Sequence, residues 1–261
     1  MHYRPGTENH GLPHDPFKSC TVPRPIGWLS TVSTQGICNL APFSQWQNLT
    51  FDPPMVMFAA NQNIWGQRKD SVVNAEETGW FVWNMATYDL RESVNASARA
   101  VGPEVDEFEL AGVEKQDCID APGPRVKQSP IQFECRYIST TRFPGRTAVG
   151  TVDVVFGEVA RIHIDEKALT SDGRIDILGI KPIARMGYYD YTVVDNIFEM
   201  KIPAGEKFAI VGENGQGKTT FLKTLSGEIP ALDGSYRWTP EKRIGYYAQH
   251  VNETLRENET V

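Results

Sequence analysis

Paired cysteines, histidines, positive charge and long apolar runs are all scarce in this chain, and each scarcity removes a class of function. The four cysteines, Cys20, Cys38, Cys118 and Cys135, are scattered and form no Cys-x-x-Cys pair. They read as reduced thiols of a cytoplasmic protein rather than as a disulfide framework or a zinc site. There are five histidines. Three of them, His2, His10 and His14, lie with Asp15 at irregular spacing in a Pro/Gly-rich stretch and read as solvated side chains, so no metal is expected. The net charge of −7 and pI near 5.3 argue against nucleic-acid binding driven by overall charge. No window holds the apolar run of a membrane-spanning helix, and residues 1–16 are too polar for a secretory signal, so no membrane partner is expected. No Ser-His-Asp or paired-carboxylate arrangement stands out, and no catalytic side chain is assigned.

Hydrophobic residues make up 40% of the 261 and charged ones 23%, enough apolar matter for a real core. The acidity is uneven. After residue 200 basic and acidic residues balance, so the excess lies in the first two hundred. Residues 1–25 carry five prolines and read as an arm with little regular structure, taken as 1–16 before the first domain. Strand-length runs rich in β-formers follow at 27–33, 37–40, 54–60, 80–85, 133–141 and 151–164, with Thr34-Gln35-Gly36 as a turn. Helices are expected from Asp70 to Glu77 and over Asp89–Ala100, where Leu90, Val94 and Ala98 share a face. Asp117–Pro130 reads as a surface loop. Closely spaced strands with few helices suggest a barrel, which removes exposed sheet edges by closing on itself.

Three segments look like parts of one phosphate-and-ring site. The stretch Arg24–Ser33 carries hydroxyls at Ser30, Thr31 and Ser33. Asn39-Leu-Ala-Pro-Phe-Ser44 reads as a short bend whose polar groups suit a ring edge. Lys69-Asp-Ser71 opens a helix, where free N–H groups, a hydroxyl and an ammonium favour an anion. In this order, together with Asp52–Phe58, Lys69–Asn84, Gly157–Ile164 and Ala184–Tyr189, they resemble the flavin reductase-like family over about residues 17–200. The resemblance implies a mainly β fold with flanking helices, an FMN-binding split β-barrel. It also implies noncovalent FMN at a homodimer interface, and NAD(P)H delivering hydride to the flavin, possible supply of a partner monooxygenase included. The flavin contacts it implies are Ser30, Thr31, Asn39, Ala41, Ser44, Lys69, Asp70, Ser71 and Arg185. Trp28 and Trp46 are tempting as stacking groups but read better as core, and His163 reads as a packed strand residue at least as well as a functional one. A flavin-carrying electron relay that takes no electrons from NAD(P)H is the other reading.

The tail is written in a different style. Gly212-Glu-Asn-Gly-Gln-Gly-Lys218-Thr219 fits the phosphate-binding loop pattern G-x-x-x-x-G-K-[ST], after an apolar run at 208–211 and before a helical one. Backbone N–H groups around Gly212, Asn214, Gly215 and Gly217 are expected to wrap phosphate, with Lys218 on the outer phosphates, Thr220 among the phosphate contacts and Thr219 able to hold Mg²⁺. With Ile244–Gln249, this stretch resembles the start of an ATP-binding cassette ATPase, Gln249 standing at that family's Q-loop. The family's signature sequence, catalytic Glu and switch His are not found within the 261 residues. ATP binding without hydrolysis is therefore the expectation for residues 201–261, a partial P-loop α/β segment fused to the barrel.

Overall fold

A computed structural model describes residues 1–199 and 217–232. The chain divides into two compact units, Met1–Phe198 and Glu199–Val261. The first contains twelve strands. In chain order they are β1 (Arg24–Pro25), β2 (Gly27–Val32), β3 (Cys38–Phe43), β4 (Trp46–Phe51), β5 (Pro54–Asn61), β6 (Trp80–Asn84), β7 (Lys115–Gln116), β8 (Arg125–Val126), β9 (Ile131–Phe143), β10 (Val152–Ile164), β11 (Ile183–Gly187) and β12 (Asp190–Val193). Four helices accompany them: α1 (Asp70–Thr78), α2 (Arg91–Ala96), α3 (Glu107–Ala111) and α4 (Ile177–Ile180).

Seven strands form one antiparallel sheet in the order β3-β2-β6-β9-β10-β5-β4. Phe43 and Trp46, from the two edge strands, lie in the same buried cluster as Phe81 of the central β6. The sheet therefore rolls around one core, and the barrel stays split between β3 and β4. Gly157 enables the roll. It sits at an irregularity in the β9–β10 pairing, and a Cβ there would meet the Phe81 ring at 2.5 Å. Trp46 stacks on Trp83 at 5.7 Å, and the fully buried Trp28 donates its indole N–H to Ser97 Oγ at 2.9 Å. Both Trp28 and Trp46 are core residues.

Several local expectations need correction. Asn39–Ser44 is not a bend: through Phe43 it is edge strand, with Ala41 opposite Leu29 and Phe43 opposite Gly27. Pro42 is tolerated because an edge strand has an unpaired side that needs no N–H donor. Asp117–Pro130 is no mere surface loop, since Ala121, Val126 and Ser129 are buried. Its backbone binds core side chains: Val126 N–H donates to Asn84 Oδ1 at 2.7 Å, and three successive amides bind Glu134. The helix expected over 89–100 is only Arg91–Ala96, ended where Ser97 bonds back to Val94 O. Ala98 is then free of the core face. The arm up to Pro16 has no strand or helix but lies on the barrel, with Gly6 against Arg146 and His14 against Tyr188.

In the second unit, Gly217 takes a left-handed backbone (φ 78°) directly before α5 (Lys218–Ser226), which closes on the left-handed Gly227. Lys218, Thr219 and Thr220 thus form the first turn of a helix, as a phosphate loop requires. Gly212, Asn214, Gly215 and Gln249 lie outside the described residues. Among the described residues no helix is long and apolar enough to cross a membrane.

Candidate functional site

The open edge of β3 faces the start of α1, and the space between them is a cleft of about 210 Å³. Asn39, Ala41, Pro42 and Phe43 form one wall, Lys69, Asp70 and Ser71 a second, and Ala98–Val101 with Glu107 a third. The exposed Trp65 stands on the rim. A neighbouring cavity, also about 210 Å³, shares Asn39, Asp70 and Glu107 with it.

The polar groups of the cleft are wired to one another. Asn39 donates from Nδ2 to Ser71 Oγ (2.9 Å) and to Thr31 Oγ1 (3.3 Å), which also accepts from Asn74 Nδ2 (3.1 Å). Ser71 Oγ thus accepts a bond and keeps its own proton to donate. Lys69 is the N-cap of α1 but makes no side-chain cap, and its ammonium has no ion pair among the described residues. A helix start, a hydroxyl and a free ammonium therefore meet on one cleft.

Anchoring of this helix start is strong. Arg68 binds Glu76 at 2.5 and 2.7 Å and donates to Asp153 at 3.2 Å. Asp153 is buried and also accepts from Arg142 and Gln62. Burial pushes its carboxyl up, but bonds from Arg142, Gln62 and Arg68 outweigh that and leave it below the usual range.

Two carboxyls facing the cleft go the other way. Glu107 is 5% exposed and accepts the Leu40 N–H at 3.2 Å. Burial drives its pKa up to about 7, with repulsion from Asp70 and Asp106 adding to it. Burial also raises Asp70. Both shifts favour the protonated form of a carboxyl beside Lys69, the direction that lessens repulsion of an anionic ligand.

The residues anticipated from sequence fall into three groups. Asn39, Ala41, Lys69, Asp70 and Ser71 line the cleft together. Ser30 and Thr31 do not. Both are buried on β2, one strand in from the open edge: Ser30 accepts from Asn84 and donates to Pro124 O at 2.7 Å, while Thr31 stands behind Asn39 and orients it. Ser44 and Arg185 belong to a separate pocket of about 230 Å³, with Lys18 and Arg24, whose wall shares Pro42 and Ala98 with the cleft. Gln62, Trp65, Arg99 and Glu107 were missed. They arrive from loops and from α3, which carry no local signal beyond the Asp106 N-cap. His163 is held at 2.5 Å from Glu134 on the far end of β10, away from the cleft.

Residues 19–191 match the flavin reductase like domain family, and the chain belongs to that family. Residues 196–261 match the ABC transporter family. An uncharacterized protein of Aquifex aeolicus is 34% identical over 170 residues, 64% of this chain and 84% of the relative. The crystal structure of nitrilotriacetate monooxygenase component B from Bacillus cereus is similar with a TM-score of 0.69 and 28% identity, covering 77% of this chain and 98% of that one. The tail is 50% identical over 62 residues to a probable ATP-binding cassette sub-family F member 3 homolog of Encephalitozoon cuniculi, and spans 11% of that relative's length.

Proposed function

We propose that residues 17–200 bind FMN without a covalent bond in the cleft between β3 and α1 and act as an NAD(P)H:flavin oxidoreductase. The observation that carries this reading is the meeting of Lys69, Ser71 and the start of α1 with the open edge of β3, in a chain of the flavin reductase-like family. The donor set fits a flavin mononucleotide. Lys69 and the Ser71 hydroxyl suit its phosphate, and Asn39 with the β3 backbone suits the polar edge of its ring.

When bound, FMN supplies the electron-accepting ring that takes a hydride from a reduced nicotinamide. The protein's own part is positioning. Asn74 fixes Thr31, Thr31 fixes Asn39, Asn39 fixes Ser71, and the Arg68–Asp153 network fixes the helix start that carries Lys69. Likeness to a monooxygenase component B supports delivery of electrons to a separate monooxygenase partner, and the family resemblance supports a homodimer. Purified protein supplied with FMN is expected to be yellow and to bleach on addition of NADH or NADPH. Protein that takes up no FMN and does not accelerate nicotinamide oxidation would end this reading; flavin bound but reduced only by a partner protein would turn it into an electron relay.

A further inference from the structure

We propose that the pocket walled by Lys18, Arg24 and Arg185 seats the phosphate groups of the reduced nicotinamide dinucleotide, apart from the flavin's own phosphate site at α1. This rests on the flavin reading of the neighbouring cleft.

Three cations converge on a cavity of about 230 Å³ whose wall, among the described residues, contains no carboxylate. None of the three has an ion pair among the described residues, although the chain carries seven more acidic than basic side chains. Arg68, Arg142 and Arg161, by contrast, are all paired with carboxylates. The arginines of the pocket are held by neutral groups instead. Arg24 donates from one terminal nitrogen to Lys18 O and to Thr21 O, and its Nε is buried with no partner among the described residues. Arg185 donates to Tyr188 O and lies 4.6 Å over the Tyr191 ring. Their geometry is thus fixed while their charge stays uncompensated, which is the condition for binding an anion without reorganisation.

Strand register sharpens the point. Arg24 of β1 pairs directly with Arg185 of β11, and like charges directly opposite one another across a strand pair are destabilising. A dianionic phosphate between them removes that repulsion, and arginine favours phosphate through its planar fork of donors. Pro42 and Ala98 belong to both walls, so a ligand seated in the cationic pocket adjoins the flavin cleft. A dinucleotide has two phosphate features of this chemistry, the pyrophosphate bridge and, in NADPH, the 2′-phosphate.

The test uses the full chain loaded with FMN. Lys18→Ala and Arg185→Gln are compared with the parent in KM for NADH and NADPH, in FMN affinity by fluorescence titration, and in calorimetric binding of two probes, adenosine 2′,5′-bisphosphate and pyrophosphate. Lys18 has an exposed side chain, so its variant keeps the test open where Arg185→Gln fails to fold. We expect KM to rise roughly tenfold or more, as for loss of a charged donor to phosphate, with probe binding weakened alike and FMN affinity within about twofold. A rise confined to NADPH assigns the 2′-phosphate; an equal rise for both assigns the pyrophosphate. Loss of FMN affinity in step with KM would give the pocket to the flavin and overturn the proposal, as would unchanged KM and probe binding in both variants. If neither nicotinamide reduces the parent's flavin, the oxidoreductase reading fails, while the probe titrations still report on the pocket.

Discussion

Replacing Glu107 by Gln should make the protein more stable at alkaline pH, although the substitution removes a charged side chain from a hydrogen bond. Burial holds the Glu107 pKa at about 7 against an ordinary value of 4.5, so folding favours the neutral acid. Because the folded value lies above the unfolded one, its contribution is fully present below about pH 4.5 and is lost as pH rises through 7. The difference corresponds to about 3 kcal/mol between the two limits. Gln has nearly the same shape, keeps an oxygen to accept the Leu40 N–H and never ionises. Denaturant unfolding of flavin-free protein should therefore show the variant within about 1 kcal/mol of the parent near pH 4.5, and ahead by up to about 3 kcal/mol near pH 8. A variant that gains nothing relative to the parent between those two conditions would refute the placement of Glu107 as a buried, uncompensated acid.

Lys69→Ala and Ser71→Ala should each weaken FMN binding by about 1–3 kcal/mol, roughly five- to a hundredfold, in a fluorescence titration; unchanged affinity in both would move the flavin phosphate elsewhere. Removing residues 201–261 should leave FMN affinity nearly intact, since the cleft is lined, among the described residues, by ones before residue 199; loss of binding in a still-folded truncated protein would contradict the two-unit reading. Glu134→Gln should cost about 1–3 kcal/mol at neutral pH, because burial pushes that carboxyl up but the Ile119, Ala121 and Asp120 amides and His163 outweigh it and hold it at about 2. That stabilisation is present above about pH 4.5 and lost as pH falls toward 2, so acid unfolding of the variant should be flatter in this range than that of the parent.

The sequence alone determined the local elements and the order of the segments. Strand-length runs rich in β-formers marked β2, β5, β6, β9 and β10, because branched and aromatic side chains suit an extended, largely buried backbone. Lys69-Asp-Ser71 was legible as a helix start with anion-binding character, since those groups are neighbours in sequence. Gly217 before Lys218 was likewise legible as a phosphate-loop turn, for the same local reason. Only the tertiary structure decided which hydroxyls line the cleft. Ser30 and Thr31 sit on a strand written much like any strand with an exposed polar face. Being one strand in from the barrel's open edge sends both of them into the core, a matter of strand order that no local pattern encodes. Arg24 and Arg185 likewise share a pocket with Lys18 because β1 pairs with β11 across some 160 residues of chain, bringing together charges that in sequence look like ordinary surface. Short-range chemistry is written in neighbouring residues, whereas burial and convergence of charge are set by long-range pairing, and it is that pairing which set the cleft between β3 and α1 apart from the cationic pocket beside it.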